Sequence, residues 1–262
     1  MEKMRNLEPF NTVGFASLYK SEVKRFTKDP IDSILTAPLL CLLYLGLFVI
    51  IFEGMNRSYF GINYISFLFP GLIMMVIMQA SYENNAYSIL TLKNQGNIED
   101  YIVAPINNFE FITAFLLAGL TRGIICGLAS FFVLFLFFHL SPISYLIIFV
   151  FIFLSSLMAS LIGLIVGLWA EKWEQEQTFY HLAIVPLTFL CGTFYSINQF
   201  PDFLSRIVKW NPFFCGIDGF RYGFIEYTDS NYIFDFFVLL FFNFLLLVLC
   251  FFLFHKGYGL KK

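Results

Sequence analysis

The chain has 262 residues, of which 59% are hydrophobic, 21% aromatic and only 13% charged, a composition far from that of a soluble domain. The formal net charge of -2 says little by itself, because in a membrane protein the placement of Lys and Arg counts and their sum does not; nucleic acid is not an expected partner. A spanning helix takes about 20 apolar residues, and the sequence offers six such stretches with short polar joints between them. The expected fold is therefore all-α and integral to the membrane, one domain over 1–262, with an interfacial helix in 1–30 and a bundle of six transmembrane helices in 34–254. Cys41, Cys126, Cys191 and Cys250 lie in apolar segments and Cys215 in a polar one, with no disulfide framework or metal-ligand spacing. No central apolar run marks a cleavable signal in the first 30 residues, so the first span is expected to serve as the insertion signal.

Residues 1–30 carry Lys3, Arg5, Lys20, Lys24, Arg25 and Lys28, while Phe15, Leu18, Tyr19, Val23 and Phe26 recur at helical spacing. This predicts an amphipathic helix on the cytoplasmic surface, basic side toward anionic headgroups and aromatic side in the acyl boundary, ended by Asp29-Pro30. A solvated charged tail is the alternative. Span one covers 34–52 and span two 64–83, where Asn84 and Asn85 announce the interface; Pro70 and Gly71 inside span two are tolerable where neighbouring helices satisfy the freed backbone. The polar stretch 91–108 contains Gly96-Asn97-Ile98-Glu99-Asp100-Tyr101-Ile102-Val103-Ala104-Pro105, which reads as a short helix with acidic residues in its first turn and a stop before the proline. A compact acidic helix between two spans is a docking element.

Span three, 111–138, is longer than a bilayer needs and holds Arg122 about one turn inside the hydrocarbon boundary. Arg122 either snorkels to the inner surface or forms a functional intramembrane pair with Glu83, which has a similar depth. A tight outer turn over 139–144 leads to span four, 145–170, whose Ser155, Ser156, Ala159, Ser160, Gly163 and Gly167 form a face that another helix can approach closely. Span five, 179–195, is interrupted by Pro186. The stretch that follows, 192–221, cannot cross as one helix, because Pro201 and Pro212 break it and Asp202, Arg206, Lys209, Asp218 and Arg221 charge it. It reads as two short amphipathic pieces, forming a gate or lid or simply sealing the bundle. Span six covers 232–254. With both termini inside, cytoplasmic segments hold eleven Lys and Arg against four outside, which favours that orientation.

The sequence has no phosphate loop, no Gly-x-Ser-x-Gly elbow, no His-Glu-x-x-His and no dinucleotide fingerprint. His139, His181 and His255 fall at different membrane boundaries, and no catalytic, cofactor or metal residues are assigned. Energy for uphill movement is expected from another subunit.

The basic N-terminal helix, the six spans, Phe69-Pro70-Gly71-Leu72, the 96–105 segment, and the run from Gly192-Thr193-Phe194-Tyr195-Ser196 through Phe200-Pro201 and Asn211-Pro212 to Asp218-Gly219-Phe220-Arg221 together resemble the membrane subunits of type-2 class ABC exporters. That group includes permeases for polysaccharides, nodulation factors and drugs. Cys191-Gly192-Thr193 stands where many relatives have Ser-Gly before the Phe. The resemblance implies a permease of the bacterial inner membrane, both termini cytoplasmic, in which a second copy of the chain and an ABC ATPase subunit are partners. Membrane lipid surrounds the assembly, and ATP is bound by the partner. It assigns ATPase coupling to Gly96, Glu99, Asp100, Tyr101 and Pro105, and an outer re-entrant gate to Phe194, Tyr195, Pro201, Asn211, Pro212 and Arg221. A membrane-embedded lipid or glycan transferase and a non-transporting scaffold subunit are the alternatives. The cargo, whether lipid, lipid-linked glycan or drug, stays open.

Overall fold

The computed structural model describes residues 10–53, 58–59, 62–98 and 106–259. Helix α1 spans Thr12–Lys28; the Asn11 side chain caps it by accepting the Gly14 N–H at 2.9 Å, and Asp29 ends it. Leu18, Glu22 and Phe26 form its buried stripe. The aromatic side packs on the bundle: Leu18, Phe15 and Tyr19 join an apolar cluster with Phe111, Ile112 and Phe115, and the Tyr19 and Thr121 hydroxyls bond at 2.9 Å. Lys20, Lys24 and Lys28 stay exposed.

Pro30 leads into a π-helical turn, Ile31–Leu35, and then α2, Thr36–Glu53. The first span thus begins three residues before its predicted start. The Thr36 hydroxyl donates to the carbonyls of Ile31 and Asp32 at 3.0 and 3.2 Å, bracing the widened turn. Two-residue strands Ser58–Tyr59 and Ile62–Asn63 pair antiparallel.

Helix α3, Tyr64–Asn94, has 31 residues and is about 46 Å long, so it outruns the predicted span two by eleven residues. The helix continues past Asn84 and Asn85. Both are buried, Asn84 donating to Asn85 and Asn85 to the Ser160 carbonyl, each at 3.1 Å, so their amides are satisfied inside the bundle. Around α3 pack α4, Asn108–Phe135, and α5, Tyr145–Trp169. The small-residue face of α5 meets α3 backbone to backbone: a Cβ at Gly163 would lie 2.3 Å from the Tyr82 carbonyl oxygen.

The region of predicted span five is a composite: α6, Trp173–Phe179, a π-helical turn, Tyr180–Ile184, and α7, Val185–Leu190. The wide turn sits just before Pro186, which lacks the N–H that would continue an α-helical ladder. Short helices α8, Asp202–Lys209, and α9, Pro212–Ile225, precede the closing α10, Tyr232–Lys256. Among the described residues, five stretches are long and apolar enough to cross a membrane: Ile31–Ile51 and the helices α3, α4, α5 and α10.

Candidate functional site

Most of the buried charged residues gather in two groups at opposite ends of the bundle, while Ser81, Ser155, Ser156 and Asn243 are buried along its middle. At the end carrying α8, three motifs widely separated in sequence converge on Arg221. Its Nε donates to the Phe67 carbonyl at 3.2 Å, its Nη2 to the Gly192 carbonyl, and its Nη1 lies 3.6 Å from Asp218 Oδ1. The guanidinium also stacks 3.7 Å from the Phe67 ring centroid. Phe67 lies one turn before Pro70, whose missing N–H leaves the carbonyl of neighbouring Ser66 without its ladder bond. Gly71 makes room, since a Cβ there would sit 2.8 Å from the Thr193 carbonyl oxygen and 3.2 Å from Arg221 Nη2. Gly192 has φ of 84°, the left-handed turn that aims its carbonyl at the guanidinium.

Asp218 extends this knot to the loop before α10, accepting the Thr228 hydroxyl at 2.6 Å and the N–H groups of Asp229 and Ser230 at 3.0 and 3.1 Å. Asp229 in turn accepts from Ser196 Oγ, Ile197 N–H, Asn198 Nδ2 and the Tyr227 hydroxyl. Arg221 is therefore a fully buried pin within the predicted gate segment, and the buried acceptor roles of Asp218 and Asp229 were missed. Their signal was the pattern of Asp and Ser between two apolar helices, which resembles an ordinary polar loop until the fold closes it.

The other predicted gate residues surround this knot. Phe194 packs on Phe48 and Phe189, with ring centroids 4.8 and 5.1 Å away, and its carbonyl accepts the Tyr64 hydroxyl at 2.9 Å. Tyr195 donates to the Leu190 carbonyl and packs on Phe200. Pro201 caps α8, while Asn211 caps α9 by accepting the Phe213 N–H at 3.0 Å, with Pro212 in the first turn. α8 buries none of its own residues.

At the α1 end, buried Glu22 accepts the Ser88 hydroxyl at 2.7 Å and pairs with Arg25 at 3.1 Å. Arg25 also donates to the Asn84 carbonyl and side chain at 2.9 and 3.1 Å, so a polar chain runs from the surface helix through α3 to Ser160 on α5. Glu110 accepts the N–H of Asn11 at 2.6 Å and of Asn107 at 2.9 Å. Lys93 Nζ donates to the carbonyls of Gly167, Leu168 and Ala170, closing the C-terminal end of α5. Burial pushes the carboxyl of nearby Glu176 up from its ordinary range, opposed in part by the hydrogen bond that Gln177 Nε2 donates to it at 2.9 Å.

Gly96 lies at this end with φ of 74° in an exposed turn. The remaining predicted coupling residues, Glu99, Asp100, Tyr101 and Pro105, fall outside the described residues. Glu83 and Arg122 are brought together, Oε2 to Nη2 at 3.1 Å, and Arg122 Nε also donates to the Ser33 carbonyl at 3.3 Å. Among the described residues no group of three His, Cys, Asp or Glu is placed to hold a metal.

Comparison with known proteins identifies the family of the chain. The chain is 29% identical over 250 residues, covering 95% of its length and 98% of theirs, to the inner membrane transport permease YadH of Escherichia coli K12, of Escherichia coli O157:H7 and of Shigella flexneri. Residues 14–225 match the ABC-2 type transporter model, a range that begins inside α1 and ends with α9. The chain belongs to the ABC-2 type transporter family.

Proposed function

We propose that this chain is the permease subunit of an ATP-driven exporter in the inner membrane, working as a pair of identical copies with a separate ABC ATPase that binds and hydrolyses the ATP. On this reading the composite stretch from Tyr180 to Leu190 completes six spans, and α8 and α9 form the outer re-entrant pair. Residues 96–105 seat in the ATPase, with Glu99 and Asp100 in the contact. The observation that carries the reading is the placement of α1: it is held against both helices that flank residues 95–107, at the end opposite the Arg221 knot. A force applied at that joint therefore reaches two flanking helices that α1 braces together.

Purification of the tagged chain in mild detergent tests the proposal. Recovery of a phosphate-loop ATPase in equal amount, with hydrolysis that depends on this subunit, supports it. Recovery of the chain alone, from cells that express it at its native level, overturns it. Replacing Glu99 and Asp100 with Lys is expected to release the ATPase or uncouple hydrolysis while membrane insertion persists; unchanged assembly and activity would remove the coupling role from residues 96–105.

A further inference from the structure

Two helices that are far apart in sequence share one buried carboxylate. Glu110 is only 1% exposed. Its Oε1 accepts the backbone N–H of Asn11 at 2.6 Å, and its Oε2 accepts that of Asn107 at 2.9 Å. Asn11 is the N-cap of α1 and Asn107 the N-cap of α4. Both bonds run to an anionic acceptor away from water, where such bonds are strong.

A second contact holds the same two segments together. Gly14, in the first turn of α1, lies against Ile106, so that a Cβ at position 14 would be 3.2 Å from Ile106 Cγ1. Phe15 and Ile106 both pack against the cluster containing Phe111 and Leu18. The far end of α1 is fixed to α3 through Glu22 and Arg25 on Ser88 and Asn84. Helix α1 therefore straddles the joint at residues 95–107, bound to the helix that enters it and to the helix that leaves it.

We infer that Glu110 is a positioning residue that clamps α1 to the start of α4, so that the surface helix and the helix leaving this joint move as one body. The inference rests on reading the joint as the ATPase-facing element. It assigns α1 a part in transmission: displacement of the joint carries the N-terminal end of α1 with it, and the helix passes that displacement to α3 through Arg25 and Glu22. A carboxylate is required because one side chain must accept two backbone N–H groups from opposite sides. The amide of a glutamine has a single acceptor oxygen.

Glu110→Gln is thus the informative variant. A glutamine can still cap α4, but it cannot also hold Asn11. In the purified permease–ATPase complex, Glu110→Gln is expected to lower ATP hydrolysis by about tenfold, the scale of one charge-assisted hydrogen bond, with the ATPase still bound in equal amount. A disulfide between Gly14→Cys and Ile106→Cys replaces the clamp covalently. In the Glu110→Gln background, closing this disulfide is expected to restore hydrolysis relative to the same cysteine pair held reduced. Reductant-reversible arrest by the disulfide, or a wild-type rate in Glu110→Gln, overturns the inference. Crosslinking in native membranes decides the clamp even if no ATPase is recovered and the functional reading fails. A high disulfide yield, equal with and without ATP and reduced by Glu110→Gln, supports it. A yield that is low, that falls with ATP, or that ignores Glu110→Gln overturns it.

Discussion

Arg221 holds three chain segments with one side chain, and its planar fork is what makes that possible. A lysine ammonium is a single point of donation and cannot reach the Phe67 and Gly192 carbonyls while stacking on the Phe67 ring. Arg221→Met would leave the buried Asp218 carboxylate without its counter-charge, at a cost of about 3–5 kcal/mol. It is expected to lower the thermal unfolding midpoint in detergent strongly, and adding Asp218→Asn should recover part of the loss. A wild-type midpoint in the single variant would show that the pin is not what holds this end. Gly71→Ala tests the same junction sterically: the new Cβ meets the Thr193 carbonyl at 2.8 Å, an overpacking cost of about 1–3 kcal/mol. For Glu83 and Arg122 the contact is looser, since the Glu83 side chain is 39% exposed. Glu83→Arg is expected to reduce the amount of folded protein in the membrane by setting two guanidiniums together, and the swap Glu83→Arg with Arg122→Glu to restore it. Equal loss in the single and double variants would reduce the pair to coincidence.

Long apolar helices announce themselves through sustained hydropathy, which is why α2, α4, α5 and α10 stand close to their predicted spans. Helix α3 does not end where the sequence suggests, because Asn84 and Asn85 carry the same polarity whether they face water or each other. Their partners, Ser160 on α5 and Arg25 on α1, come from distant parts of the chain. The same limit hid Asp218 and Asp229, whose donors are backbone N–H groups fixed only by the folded loop. α1 was legible as amphipathic, but hydropathy cannot distinguish a lipid-facing stripe from one docked on a neighbouring helix. α8 presents that ambiguity in a testable form. Phe203 is 73% exposed, as expected for a helix lying at the membrane–water boundary, and Trp210 follows at its end. In a chain with Trp169→Phe and Trp173→Phe, the fluorescence of Trp210 is expected to be quenched by lipids brominated along the acyl chain. Absence of quenching would mean that protein, not lipid, covers this face.

At the scale of the whole molecule, orientation decides whether the two ends can do different work. The folded chain places the basic residues of α1, the turn with Lys93 and the C-terminal end of α5 at one end, tied through Arg25, Glu110 and Lys93. The Arg221 knot, the Asp229 loop and the N–H groups of Ile143 and Ser144 on the Gly223 carbonyl lie at the other. The excess of Lys and Arg in the first set predicts that it faces the cytoplasm. All five native cysteines are buried, so a single introduced thiol reports its own side. Ser205→Cys on α8 is expected to react with an impermeant maleimide from outside intact cells, and Val13→Cys, at an exposed position on α1, only after permeabilisation. The reverse pattern would put residues 96–105 outside, where no ATP-hydrolysing partner could reach them. It would therefore sink the coupling assignment and the exporter reading together, whereas the expected pattern places residues 96–105 on the side where ATP is found.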